Sequence, residues 1–381
     1  MLYLRKPHIA QFELDTYDML RELVSRHAIP CGWKTVGGVQ TFVSQATLDL
    51  ARERVAQLEA SHPELARQLR LVTDRSKLED LRLGTGAVGA VVQECAASCW
   101  PYKLVSWVLE TLLGEKEEEA SSGKGKFNLQ TGTSALHLQR GADVWIVHTD
   151  RGQIAARDVV LATNAYTSHL LPKFSGLITP VRGQVAALVN PDDAAPIAPL
   201  DNSYVWQVRE DGDPAESDDY LIYRDSGEFI LGGERNTTIE AGWATSDDDV
   251  VDPVVSRRLH AGLHKVLTGV PAEMKSSHEW TGIMGYSADE NPWVGRVPEG
   301  LGGGDSGLWV TAGYTGHGMP VAARCGIAVA EMVLGKSGHG TVNLPPEWVI
   351  SEERASAVKS MALPETFEDE LRLVVQEFRK D

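Results

Sequence analysis

The sequence predicts an α/β fold, and three observations carry that expectation. Segments with apolar residues at helical spacing alternate with short β-prone runs along most of the chain. Near the C-terminus a strand-like run, a glycine-rich bend and a helix start follow one another over residues 307–333. The 381 residues, 43% hydrophobic and 23% charged, are enough for one large or two ordinary domains with ample core.

The elements follow in order. Residues 9–27 place Phe12, Leu14, Tyr17, Met19, Leu20, Leu23 and Val24 at helical recurrence, with acids outward. Residues 32–43 read as a strand pair bent at Gly37 and Gly38. Residues 47–71 are charged and rich in Leu and Ala, hence helical. A literal G-x-G-x-x-G follows at Gly84, Gly86 and Gly89. A dinucleotide site needs a buried strand before such glycines and a helix after them. Here the preceding residues 78–83 are half charged and the following 90–95 are β-prone, so we read the motif as a decoy. Glu110 stands at a tempting distance for a ribose contact, but it lies inside a helix that Pro101 opens.

Residues 114–126 form a charged, glycine- and serine-rich loop insertion. Strands are expected over 127–138, 144–149 and 159–162, with a hairpin turn at 150–153. A second strand-rich region covers 184–189, 204–208, 220–223 and 229–231. Residues 250–267 read as helix and 277–284 as strand. In the acidic tail, 367–378 reads as an amphipathic surface helix.

The organising stretch is Leu308 to Thr311, the glycines at 313, 316 and 318, and a helix expected to start near Met319 and Pro320. Such a unit aims unpaired N–H groups and a partial positive charge at one point. That point suits an anionic or electron-accepting ring.

Ala312-Gly-Tyr-Thr-Gly-His-Gly318 resembles the flavin-facing signature of the D-amino-acid oxidase/sarcosine oxidase superfamily of FAD-dependent oxidoreductases. Three further stretches fall in the order of that family: Val159-Val-Leu-Ala-Thr-Asn-Ala-Tyr166, Pro180-Val-Arg-Gly-Gln184, and the run from Glu279 through Met284-Gly-Tyr286 to Pro292. The resemblance covers most of residues 8–335 and implies a two-lobed α/β fold. Its FAD-binding lobe, Rossmann-like but incomplete, would comprise 1–30, 100–174 and 291–337. A mixed-sheet substrate lobe would comprise 31–99 and 175–290, leaving 338–381 as a tail.

The resemblance also implies residue roles. Ala135 and Leu136 occupy the neighbourhood that touches adenine, and Ala162, Thr163 and Asn164 border the pyrophosphate side. Gly313, Tyr314, Thr315, Gly316, His317, Gly318 and Met319 would line the flavin, mainly through backbone. Arg182 would orient an anionic group or favour reduced flavin, and Tyr286 would wall the substrate cavity. FAD is expected to be non-covalent, because Met284 and Gly285 stand where some members carry a tethering cysteine. The implied reaction is oxidation of a small amine or amino acid by hydride transfer to flavin.

Plain structural readings stand beside these: an ion-paired Arg182, a packed Tyr286, solvated or structural His260, His264 and His278, and core tryptophans at 243, 280, 293 and 309. In relatives a βαβ unit with the pyrophosphate cradle and ribose acid precedes a helix like 9–27. The eight residues ahead of it here do not hold a unit of ~30 residues. The expectation is therefore an incomplete FAD lobe, with a cofactor-free binding or scaffold protein as the alternative class.

The formal net charge of −17 argues against nucleic acid or an anionic membrane surface as partner. Four scattered cysteines make no disulfide framework, and nothing near Cys95 and Cys99 completes a zinc set. No run of about 18 apolar residues and no signal region is found, so a cytoplasmic protein is expected.

Overall fold

A computed structural model describes residues 4–114, 126–192, 194–209, 216–234, 242–304, 307–336, 340–360 and 372. The expected helix at 367–378 therefore falls outside the described residues, apart from position 372.

Helix α1 (Pro7–His27) starts on a proline and stops at Ala28, which adopts a left-handed φ of 48°. Its buried stripe is Ile9, Ala10, Phe12, Thr16 and Val24. Strand β1 (Lys34–Phe42) is one strand, in place of the expected pair. The bend at Gly37 and Gly38 is a register shift against β3 (Gly89–Ser98). A Cβ on Gly37 would lie 2.2 Å from Asn202 Oδ1, so the Asn202 side chain on the neighbouring strand occupies the space a larger residue would need. Helix α2 (Gln45–Ser61) ends where Pro63 follows, and the region expected to stay helical gives way to β2 (Leu69–Val72).

The decoy reading holds at 84–89. Gly84 and Gly86 lie in the turn between the short helix Arg75–Asp80 and β3, and Gly89 opens β3 itself, so none stands at a helix start. The Arg75 guanidinium caps the carbonyls of Leu83, Gly84 and Ala87, and Gly84 N–H donates to Val266 O at 2.8 Å. A Cβ on Gly89 would sit 2.6 Å from Leu48 Cδ1, which explains that glycine by packing.

Helix α3 (Pro101–Gly114) precedes a hairpin sheet of β4 (Ala135–Arg140), β5 (Trp145–Thr149) and β6 (Gly152–Ala156). Residues 127–134 are irregular, so the strand expected from 127 begins later. Next come β7 (Val159–Leu161), β8 (Ile178–Val189), β9 (Asn202–Arg209), β10 (Glu216–Tyr223) and β11 (Phe229–Gly233). The helix expected over 250–267 is broken at Ala261 and Gly262 into α4 (Pro253–His260) and a four-residue turn of helix. Then follow β12 (Lys275–Ser287), β13 (Trp293–Arg296), β14 (Leu308–Ala312), α5 (Ala322–Val333) and α6 (Glu352–Val358).

An eight-stranded sheet runs β12-β8-β11-β10-β9-β1-β3-β2. All its pairs are antiparallel except β1 with β9. Its apolar side packs Tyr204, Trp206, Leu221 and Leu231 against Leu259 and Leu263. A second sheet, β13-β14-β7, pairs β14 with β7 in parallel. Around it lies a separate core of Leu161, Phe174, Trp293 and Val310. Of the four tryptophans expected in the core only Trp293 is fully buried, whereas Trp243 is 50% and Trp280 43% exposed.

Candidate active site

β14 delivers the chain into the bend with apolar residues buried on both faces. Gly313, Thr315 and Gly316 then take φ of 78°, 49° and 70°, the left-handed region that favours glycine. At Gly313 a Cβ would meet Trp293 and Ile178 side chains at 3.1 and 3.2 Å. The bend is braced from two directions. Asn164 Oδ1, at the end of β7, accepts from Gly313 N–H (2.9 Å) and Tyr314 N–H (3.4 Å). From β12, Gly285 O accepts from Thr315 N–H (2.8 Å), and Ser287 N–H donates to Thr315 Oγ1 (3.0 Å).

Helix α5 begins at Ala322, later than Met319 and Pro320, because Val321 and Ala322 N–H close back on Gly318 O. Pro320 thus belongs to the turn. Among the described residues, the N–H groups of Gly316, Gly318 and Met319 donate to no backbone carbonyl. Beneath the bend the Tyr314 hydroxyl bonds Thr311 Oγ1. Burial pushes the Tyr314 phenol up and the Cys325 thiol to about 12, so both stay neutral.

The bend opens on a cavity of about 800 Å³, toward the upper end of the usual small-molecule range of about 300–1,000 Å³. α1 contributes Glu13, Tyr17 and Leu20 to its wall, and Trp33 and Gln93 stand on the sheet side. None of these was singled out in the sequence. The only signal was the helical recurrence of Tyr17 and Leu20, which reads equally as core.

Of the expected site residues, Asn164, Tyr314, Gly316, His317, Gly318 and Met319 line this cavity together with Met284. Gly313 and Thr315 form the base of the bend. Tyr286 lies just behind it: its hydroxyl would be 3.1 Å from a Cβ on Gly316, and its ring meets Trp243 edge-on at 6.2 Å. His317 is exposed, with Nδ1 3.0 Å from Thr315 O.

Other expected residues lie apart. Ala162 and Thr163 sit at the end of β7 off the cavity lining, and Thr163 Oγ1 bonds Thr167 Oγ1 at 3.0 Å. Ala135 and Leu136 are on β4 in the hairpin sheet, with Leu136 exposed. Arg182 faces a small depression shared with Gln184, Glu234 and Asp252, and it donates to Asp247 O at 3.2 Å. Its cross-strand partner is Ile283, so the alternation of the pleat puts it on the opposite face of the β8–β12 ribbon from Met284 and Tyr286. His260, expected to lack organised partners, is bonded to Glu279 at 2.8 Å.

The donors present suit the ring end of a flavin. Gly316 and Gly318 leave backbone open to the cavity. Trp33 also lines it, and its indole N–H is buried without an acceptor among the described residues.

A family model described as FAD-dependent oxidoreductase (DAO) matches residues 2–332. The chain belongs to this family. FAD is the cofactor of the family, and the fold is its α/β fold, with a large mixed sheet beside smaller ones. The chain is 25% identical to a probable oxidoreductase OrdL of Rhizobium meliloti over 233 residues, 60% of this chain and 47% of that protein. It is 23% identical to a glycine oxidase of Bacillus subtilis over 209 residues, 54% of this chain and 48% of that protein. It thus spans about half the length of these curated relatives. Among solved structures, glycine oxidase from Geobacillus kaustophilus superposes with a TM-score of 0.65 at 17% identity, covering 90% of this chain and 83% of that one.

Proposed function

We propose that the chain is an FAD-dependent oxidoreductase that removes a hydride from the carbon next to an amine nitrogen of a small amine or amino acid. The observation that carries this reading is the bend at 313–319: Gly316, Gly318 and Met319 line the large cavity, and their N–H groups donate to no backbone carbonyl among the described residues. Bound FAD supplies the two-electron acceptor, and the resulting imine is hydrolysed by water.

The chain's own residues hold and shape the site. The N–H groups of the bend, with the positive end of α5 behind them, favour negative charge at the ring edge. Met284 forms the wall beside it, and Tyr286 supports the bend from behind. Neutral Tyr314 and Cys325 close the floor, keeping charge and water out from below. By the family resemblance, Ala162 and Thr163 would hold the pyrophosphate side of the cofactor, and Ala135 and Leu136 the adenine side. Arg182 braces the loop around Asp247 from the opposite face of the ribbon, so we do not assign it to the substrate. No helix among the described residues is long and apolar enough to cross a membrane, and we place the enzyme in the cytoplasm.

The test is a titration of the purified chain with FAD, followed by anaerobic addition of amines and amino acids. Saturable flavin uptake and bleaching of its absorbance are expected. Lack of flavin uptake would leave the cofactor-free reading in its place.

A further inference from the structure

Resting on that oxidoreductase reading, the geometry points to a narrower substrate class: an apolar amine without a carboxylate, drawn in as its cation and giving its ammonium proton to water before the hydride leaves the neighbouring carbon. Among the described residues lining the cavity there is no lysine or arginine. Among the same described residues the one carboxylate is that of Glu13, its side chain 11% exposed. Its partner Arg5, at 3.3 Å, lies outside the lining.

The neighbouring guanidiniums have partners of their own and none is part of the lining. Arg324 reaches Asp15 at 2.9 Å and lies over the Phe12 ring. Arg21 pairs with Asp18 at 2.7 Å, and its guanidinium also lies 5.4 Å from the centre of the Tyr17 ring. Arg182 is on the other face of its ribbon. An amino-acid substrate would bring a carboxylate into this apolar space, where recognition ordinarily uses a bidentate arginine. Left unpaired there, the anion loses its hydration without replacement. The bend offers anion-binding N–H groups, but in the oxidoreductase reading these serve the flavin.

The same wall suits a cation. Tyr17 and Trp33 are tilted at 44° with ring centres 5.9 Å apart, and both line the cavity next to the α1 stripe that carries Glu13. Aromatic faces attract ammonium groups. Leu14, Leu20 and Met284 take the apolar substituents.

The experiment compares matched pairs that differ by one carboxylate: benzylamine with phenylglycine, and butylamine with norvaline, using both enantiomers of each acid. On the FAD-loaded protein two readouts are taken, calorimetric affinity and the rate of anaerobic flavin bleaching. Each amine is expected to bind at least about tenfold tighter than its acid. Equal or tighter binding of the acids, or no binding of any member, overturns the inference. Faster bleaching by the acids overturns it while leaving the oxidoreductase reading intact. Tighter amine binding with no bleaching by any compound supports the recognition and sinks the oxidation. Two variants sharpen the comparison. Met284→Arg is expected to reverse the preference by placing a cation on the wall. Glu13→Gln is expected to weaken the amines roughly three- to tenfold and leave the acids unchanged.

Discussion

Gly285 and Asn164 show how much of the site depends on single atoms. A Cβ at 285 would stand 2.6 Å from Asn164 Oδ1 and 2.8 Å from Ala165 N, the latter a backbone atom with little room to yield. Gly285→Ala should therefore destabilise the fold by about 1–3 kcal/mol and weaken flavin uptake. Gly282→Ala, three residues earlier on the same strand with nothing within 4 Å of the added carbon, should be nearly neutral. Urea melts of the two variants check this, and equal losses would remove the packing argument. Asn164 accepts from two backbone N–H groups of the bend while holding a left-handed φ of 44°. Asn164→Ala leaves both donors unpaired and strains the backbone, for an expected loss of about 1–3 kcal/mol. Asn164→Asp, which keeps the acceptor, should recover most of it. An unchanged melting temperature in Asn164→Ala would show that the brace is dispensable. The sequence marked Asn164 as part of the site but not as the brace, because its partner lies 149 residues away and no local spacing reports such a contact.

Strand β12 is anchored by a polar cluster that spacing alone left hidden. Glu279 accepts from Ser256 and Ser276 Oγ–H, both at 2.9 Å, and from Gln184 Nε2 at 3.4 Å, and its Oε1 lies 2.8 Å from His260 Nε2. Burial pushes this carboxyl up, but the bonds from Ser256, Ser276 and His260 outweigh it, so its pKa ends below the ordinary value. A carboxyl lowered in the folded state contributes stability above its unfolded value near ~4.3, and loses it as pH falls through the folded value. Glu279→Gln should therefore be less stable than the parent at pH 6–7, with the gap closing below about pH 4. Parallel melts across that range test the sign, and a gap that widens in acid would contradict it. The helices and strands of this region were legible from their periodicity, and the cluster was not. A histidine, two serines and a glutamine on three elements look like surface residues until β8, β12 and α4 pack together. The same limit explains β1, where the glycines read as bending a strand pair lie within one strand and Gly37 leaves room for the Asn202 side chain of β9, and α5, whose start is set by a loop carbonyl and not by Pro320.

At the scale of the molecule, the eight-stranded sheet draws its strands from residues 34–98 and 178–287, and β13, β14 and β7 come from the intervening and later segments. The cavity lies where these two groups of strands meet α1, so its field is that of the whole chain. The formal net charge of −17 makes that field attractive to cations and repulsive to anions at distances beyond direct contact. Long-range steering of this kind is screened within ~10 Å at 0.1 M salt. For a cationic amine, kcat/KM should fall several-fold between roughly 20 mM and 500 mM sodium chloride, while kcat, measured after binding, changes little. A zwitterionic amino acid has no net charge to steer, so its kcat/KM should be nearly flat over the same range. Stopped-flow bleaching at a series of salt concentrations separates the two. A flat amine profile would mean that the acidity of the chain is spread away from the cavity mouth and serves solubility alone.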